Sequence, residues 1–149
     1  MTKFDILVIG SGPGGYVAAI RAAQLGKTVG IIEKESLGGI CLNWGCIPTK
    51  ALLKSAQVFE YINGISVSGA KADFNQIINR SRGVADGMSK GIQFLMKKNK
   101  ITVIMGFAKI NKNKSVEVKD ADGKISNYSA DHIIIATGGR AKQLPNLPI

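Results

Sequence analysis

Phe4-Asp5-Ile6-Leu7-Val8-Ile9-Gly10-Ser11-Gly12-Pro13-Gly14-Gly15 is the stretch that decides the fold of this 149-residue chain. Its first half is a short, mostly apolar run, the pattern of a strand buried in a parallel sheet. A glycine turn follows, then Tyr16-Val17-Ala18-Ala19-Ile20-Arg21-Ala22-Ala23-Gln24-Leu25, an alanine-rich helix stopped by Gly26. Residues 28–32 form a second β-branched run, closed by Glu33. A lone G-x-G-x-x-G is weak, but Gly10, Gly12 and Gly15 join a strand to a helix, with an acid about 20 residues onward. Gly10 permits the tight turn, Gly12 lets a pyrophosphate approach the backbone, and Gly15 lets helix and strand pack closely. The helix N-terminus offers N–H groups and partial positive charge to phosphates, and Glu33 can accept from a ribose diol. These residues predict a dinucleotide site, for NAD or FAD.

Composition agrees with a folded chain one domain long: 45% hydrophobic residues and a mean hydropathy of +0.11. A net charge of +10 raises nucleic acid or an anionic membrane as partners. The lysines are scattered, however, without a basic stripe interleaved with aromatics. A solvated basic surface, or a piece whose acidic remainder lies elsewhere, explains them better than nucleic acid. Asp5 stands where an export signal would be apolar, and no apolar run reaches the ~18 residues of a membrane span. The expected location is cytoplasmic, or the mitochondrial matrix in a eukaryote. There a disulfide is more often catalytic than structural.

Farther along, residues 49–61 carry Ala51, Leu52, Leu53, Ala56, Val58 and Phe59 at helical spacing, with Pro48 at the start and a looser stretch at 62–71. Asp73 reads as the N-cap of a long helix whose core stripe is Phe74, Ile77, Ile78, Val84, Met88, Ile92, Leu95 and Met96. Gly83, Gly87 and Gly91 mark a bend or a close contact in it. Residues 101–105 read as a third strand, and 107–110, 115–119 and 125–128 as a small antiparallel meander. Asp120-Ala121-Asp122-Gly123 is a turn, because it lacks the rest of a calcium loop. His132 opens a separate fourth core strand that ends in a second glycine turn, Thr137-Gly138-Gly139. His132, the only histidine, reads as a structural residue. The fold expected is α/β, a Rossmann-like parallel sheet with helices carrying a small β-meander.

Both cysteines, Cys41 and Cys46, fall within Leu37-Gly38-Gly39-Ile40-Cys41-Leu42-Asn43-Trp44-Gly45-Cys46-Ile47-Pro48-Thr49-Lys50. Such a pair is a metal pair, a redox disulfide or coincidence. Zinc needs three or four protein ligands, and one distant histidine leaves the pair short. Five residues of regular helix rise about 7.5 Å, more than the usual disulfide Cα separation of about 4.4–6.8 Å. A disulfide therefore requires distorted backbone, which Gly45 permits. So small a loop gains little entropic stability from a bridge, and a redox role explains the pair better.

The segment from Gly38 to Lys50 resembles the active-site signature of the flavin-dependent pyridine nucleotide–disulfide oxidoreductases. Gly10 to Gly15, Lys90-Gly91-Ile92-Gln93-Phe94-Leu95, Gly106-Phe107-Ala108 and Ile134-Ile135-Ala136-Thr137-Gly138 extend the resemblance over nearly the whole chain. It covers about the first third of the family's length. Leu42 and Ile47 resemble the dihydrolipoyl dehydrogenase branch, where glutathione and mercuric reductases more often carry valines. The resemblance implies FAD at the first glycine turn, held by Gly10, Gly12, Pro13, Gly14 and Gly15, with Glu33 on the adenosine ribose and Lys34 beside it. Gly38, Gly39 and Cys41 join that site. Lys50 is placed near flavin N5, the backbone around Ala108 at the adenine, and Thr137 and Gly138 beside the pyrophosphate. Cys46 would make the charge-transfer contact with the flavin, its thiolate favoured by the lysine, while Cys41 exchanges with the dithiol substrate. Ile40 replaces a common threonine, and Gly139 and Arg140 replace a serine and a variable residue.

By the same resemblance, residues 1–140 are the FAD-binding segment and 141–149 a linker toward an NAD-binding domain absent from the chain. The whole enzyme would be a homodimer. It would oxidise dihydrolipoamide on a lipoyl-domain protein of a 2-oxo acid dehydrogenase or glycine cleavage complex, reducing NAD. The dimer domain's His–Glu pair is also absent, and His132 does not match that histidine's surroundings, so this chain alone is expected not to turn over. Alternatives are a glutathione- or mercuric-reductase-like enzyme and a non-catalytic flavin- or nucleotide-binding module.

Overall fold

The computed structural model describes residues 1–65 and 69–139. β1 (Thr2–Ile9) leads through the Gly10–Gly12 turn into α1 (Pro13–Gln24) and β2 (Val29–Glu33). The segment carrying the cysteines folds into α2 (Gly39–Asn43) and α3 (Cys46–Gly64), and α4 (Phe74–Lys98) returns along them. β3 (Thr102–Met105), β4 (Phe107–Ile110), β5 (Ser115–Lys119) and β6 (Ile125–Ile135) complete one sheet of order β3-β2-β1-β6-β5-β4. β2 and β6 flank β1, and β3 flanks β2, all in parallel. β4, β5 and β6 pair antiparallel as the meander. This is the expected Rossmann-like arrangement with its β-meander.

The two expected strands at 125–128 and in the segment opened by His132 are one strand of 11 residues. Ser129, Ala130 and Asp131 read as an interruption, yet each has a strand partner or a surface role. Tyr128 and Ser129 pair with β1 on one side and β5 on the other. Asp131 makes an exposed ion pair with Lys3 at 2.8 Å. β6 thus carries the chain from the meander into the parallel sheet, and it ends at Ile135, so Ala136 to Gly139 are irregular. His132 is exposed on it, opposite Ile6 of β1.

The central strands are covered on both faces, which accounts for their continuous apolar runs. Val8 and Ile31 pack toward α1 and α4 with Ala19, Ala22, Ile92 and Met96. Leu7, Ile9 and Ile32 face the meander with Val116, Val118 and Ala130. Asp73 caps α4, its side chain accepting from the Gln76 N–H at 3.1 Å. The buried residues of α4 are Ser81, Ala85, Ile92 and Met96, whereas Phe74, Val84 and Met88 are exposed. The small Ser81 lets α3 come close at Pro48, whereas the stripe packs as expected only at Ile92, Leu95 and Met96. On α3 likewise Pro48 and Ala51 are buried while Leu53 and Val58 are exposed. Gly83, Gly87 and Gly91 mark neither a bend nor a close contact: α4 is uninterrupted, and a Cβ at each would meet nothing within 4 Å.

Helix α3 begins at Cys46, earlier than its apolar pattern suggests, and continues to Gly64, into the stretch expected to be loose. Residues 66–68, Arg140 and the linker 141–149 lie outside the described residues. Among the described residues, no helix is long and apolar enough to cross a membrane.

Two neighbouring glycines of α1 separate packing from propensity. A Cβ on Gly15 would sit 1.9 Å from the Gly10 carbonyl oxygen, and one on Gly14 would meet nothing within 4 Å. Helix propensity alone favours alanine over glycine by about 1 kcal/mol. Gly14→Ala is therefore expected to raise thermal stability slightly. Gly15→Ala is expected to lose about 3 kcal/mol, because backbone rather than a flexible side chain must move. Circular dichroism melts of both variants check the pair; equal melting temperatures contradict the packing account.

Candidate functional site

A cleft of about 630 Å³ opens at the carboxyl ends of β1, β2 and β6, with the start of β4 on its far side. This is the ligand position of open parallel sheets, and the volume suits a cofactor cleft, typically ~300–1,000 Å³. Of the residues expected at the site, Gly10, Gly12, Pro13, Glu33, Lys34, Gly39, Cys41, Ala108, Thr137 and Gly138 line it. Elements distant in sequence thus converge on one wall. Gly14, Gly15, Gly38, Cys46 and Lys50 do not line it.

The three motif glycines serve different ends. Gly10 has φ +99°, and a Cβ there would lie 2.3 Å from the Ala136 carbonyl oxygen, so it permits both the turn and close contact with the strand end beside it. Gly15 lets α1 lie against Gly10. Gly12 needs its lack of a side chain for neither reason: its φ of −65° suits any residue, and a Cβ would meet nothing within 4 Å. It lines the cleft ahead of α1, whose N-terminus has no capping side chain. What its missing side chain leaves free is the approach of a ligand to the first-turn N–H groups, which favour an anion.

Glu33 closes β2 beneath that turn and is buried. Its Oε2 accepts from the Ser11 N–H at 3.0 Å and the Ser11 hydroxyl at 2.6 Å. Its Oε1 accepts from the N–H groups of Lys34 at 2.8 Å and Glu35 at 2.9 Å. Burial pushes the carboxyl's pKa up, but these hydrogen bonds outweigh it and hold the group below its ordinary value. Glu33 lines the cleft as expected, but its acceptor positions already anchor the glycine turn. Ser11, not among the residues expected at the site, is fully buried and joins the turn to β2. The one signal for it was a hydroxyl between two motif glycines.

The cysteine segment is docked onto the same turn. The Gly38 N–H donates to the Ser11 carbonyl at 3.0 Å. Gly38 and Gly39 both take positive φ, and a Cβ on Gly39 would lie 2.7 Å from the Gly12 Cα. Helical conformation then fails at Trp44 (φ −134°, ψ −1°) and Gly45 (φ −120°, ψ −113°), between the cysteines, where the disulfide argument requires distortion. Pro48 reinforces the break, since its ring would clash with the Trp44 carbonyl in a continuous helix. Cys41 and Cys46 are free thiols here, and the Cys41 side chain hydrogen-bonds with that of Cys46. That bond, then burial, raises the Cys41 pKa above the ordinary thiol value, against the pull of the Cys46 N–H and the positive Lys50. Cys41 lines the cleft, and so does Trp44, the only tryptophan of the chain.

Acid should reveal the Glu33 network. A carboxylate with a depressed pKa adds stability above its unfolded value, near 4.5, and loses it as pH falls toward the folded value. Glu33→Gln keeps the shape but puts an NH₂ against N–H or hydroxyl donors, at a cost of about 2–3 kcal/mol at pH 7. The gap from the unsubstituted chain should close below pH 4.5. Urea unfolding at a series of pH values measures it, and a pH-independent gap contradicts the assignment.

The sequence matches the pyridine nucleotide-disulphide oxidoreductase family over residues 4–148. Dihydrolipoyl dehydrogenase from Rhizobium etli is 47% identical, across 97% of this chain and 34% of that protein. The dihydrolipoyl dehydrogenase of Zymomonas mobilis is 48% identical, across 97% of this chain and 32% of its own length. Among solved structures, the HOCl-induced flavoprotein disulfide reductase RclA from Escherichia coli, in its Cu(II) complex, superposes with a TM-score of 0.84 at 29% identity. That match covers 97% of this chain and 31% of the other. The chain spans about a third of the length of these relatives. With the family match running through the glycine turn, the cysteine pair and the strand ends of the cleft alike, this chain belongs to the pyridine nucleotide-disulphide oxidoreductase family.

Proposed function

We propose that this chain is the FAD-binding, disulfide-bearing N-terminal part of a dihydrolipoyl dehydrogenase. One observation carries the reading: two cysteines are brought together by a break between helices, with Cys41 on the wall of a dinucleotide cleft. The relatives named dihydrolipoyl dehydrogenase support the choice of enzyme. Residues 1–140 form the FAD-binding segment in this reading, and 141–149 lead toward an NAD-binding domain. The whole enzyme is a homodimer whose substrate is a dithiol carried on a lipoyl-domain protein.

The residues fit FAD. Gly12 and the start of α1 would hold the pyrophosphate, with Thr137 and Gly138. Glu33 would serve the ribose, Ala108 the adenine, and Gly39 and Lys50 the flavin. When bound, FAD supplies a two-electron acceptor beside the cysteine pair. The chain's own chemistry is thiol–disulfide exchange. A substrate thiolate attacks Cys41 of the oxidised pair, the Cys41–Cys46 bond breaks, and Cys46 leaves as a thiolate beside Lys50. The second substrate thiolate then attacks the mixed disulfide, closing the substrate's own disulfide and releasing Cys41. Two electrons and no atoms remain with the enzyme, apart from the protons taken up by the thiols.

Titration of the purified chain with FAD is expected to quench Trp44 fluorescence. Gly12→Ala should weaken that binding tenfold or more while leaving the melting temperature within about 2 °C, because its Cβ meets no protein atom. Unchanged Trp44 emission with excess FAD would sink the cofactor assignment. The 149-residue chain is also expected to give no steady NADH from dihydrolipoamide. If a flavin-loaded sample keeps both thiols under mild oxidant, the disulfide reading fails.

A further inference from the structure

We infer that α4 is a brace whose side chains hold the cysteine loop in its broken-helix form, with Cys46 beside Cys41, and thereby set its dithiol–disulfide equilibrium. Three of its residues donate to backbone carbonyls on either side of and between the cysteines. Ser89 Oγ reaches the Leu37 carbonyl at 3.0 Å, Arg82 Nη1 the Asn43 carbonyl at 3.0 Å, and Ser81 Oγ the Pro48 carbonyl at 3.1 Å. As α4 advances from 81 to 89, its acceptors recede from 48 to 37, so helix and loop run antiparallel. Ser81 and Ser89 are eight residues apart, about 12 Å of rigid helix. That span fixes both ends of the segment in which regular helix fails at Trp44 and Gly45.

The local chemistry shows why donors from outside are needed. The five residues of α2 are too few to satisfy their own terminal carbonyls. Within the loop, the Asn43 amide donates to Leu37 at 3.0 Å and Gly39 at 2.9 Å; Ser89 is a second donor to the Leu37 carbonyl, and Arg82 serves the carbonyl of Asn43. Ser81 is buried, and its hydroxyl is spent on Pro48. Alanine would pack there equally well, so the hydroxyl serves the contact across the helices.

The brace matters most for the dithiol. In the oxidised pair, the S–S bond restrains the loop covalently. In the reduced pair, only noncovalent contacts keep Cys46 beside Cys41. Removing the brace therefore gives conformational freedom chiefly to the dithiol and disfavours ring closure. Ser81, Arg82 and Ser89 are positioning residues, which touch neither thiol and act through the loop backbone. The inference rests on the reading of Cys41–Cys46 as a redox disulfide.

The test equilibrates the 149-residue chain with glutathione buffers, followed by alkylation and mass spectrometry. In the reaction measured, two thiols give two electrons and two protons to glutathione disulfide. One S–S bond forms in the protein, one breaks in the oxidant, and two glutathione molecules leave. Arg82→Ala with Ser89→Ala is expected to lower the equilibrium constant for disulfide formation about tenfold, roughly 30 mV for a two-electron couple. Arg82→Lys with Ser89→Thr keeps donors at both places and should stay within about threefold of the unsubstituted chain, which also covers failure of the alanine variant to fold. Arg80→Ala is the control. Arg80 donates to Ala51 at 2.9 Å and to Ser55, beyond the cysteines, so its loss should lower the melting temperature without moving the equilibrium. Equal equilibria for the unsubstituted chain and the double alanine variant overturn the brace alone. So does an equal shift in Arg80→Ala. A chain that forms no disulfide in any buffer overturns the redox reading itself, and the brace with it.

Discussion

A buried carboxylate with four hydrogen bonds holds this structure in register. Glu33 ends β2, Ser11 sits in the turn after β1, and the two are 22 residues apart in sequence. A carboxylate this far from water is costly unless its oxygens are satisfied. Here every bond comes from the turn that begins α1 or from the backbone just beyond β2. The register of β1 against β2, the direction of α1 and the floor of the cleft are thereby set together. Ser11 also offers its carbonyl to Gly38, and Gly39, which opens α2, lies so close to the Gly12 Cα that Gly39 has no room for a side chain. The nucleotide turn and the cysteine segment are consequently one piece of structure.

That coupling explains why the glycines are unequal. Gly10, Gly15, Gly38 and Gly39 let backbones touch or turn, so they are structural. Gly12 is not required by the protein's own packing and leaves the first turn of α1 open to the cleft. The cysteine segment is built on the same logic of close approach. A break at Trp44 and Gly45, backed by Pro48, brings Cys46 next to Cys41, and α4 donates to loop carbonyls before, within and after the break. A geometry that regular helix forbids is made stable by donors from another helix.

Much of this was legible from residues alone, because it is local. The first βαβ unit, the Asp73 cap, the Asp120 turn and the need for distortion near Gly45 follow from side-chain volume, backbone freedom and hydrogen bonds within a few residues. Glu33, Cys41, Gly10, Gly12 and Gly138, which spacing and resemblance single out, line the cleft. The errors share a cause as well. Residues 125–135 looked like two strands because Ser129 and Asp131 are poor strand formers, and only pairing with β1 and β5 makes them one. The apolar stripe of α4 holds at Ile92, Leu95 and Met96, which pack in the core, and fails at Phe74, Val84 and Met88, because periodicity marks a face but not how far its partner extends. Where α3 approaches, the buried position is the small Ser81.

A dinucleotide-type βαβ unit, a cysteine pair needing a kink, and the order of the two are written in the residues. Those follow from glycine, proline and apolar spacing over short distances, where the chain's own stereochemistry leaves few choices. That Ser11 locks Glu33, that the cysteine loop rests on the glycine turn and that α4 serves that loop emerge from the folded chain. Each is a hydrogen bond or close contact between residues far apart in sequence, or the consequence of one. Its geometry exists only once the sheet has brought the partners together.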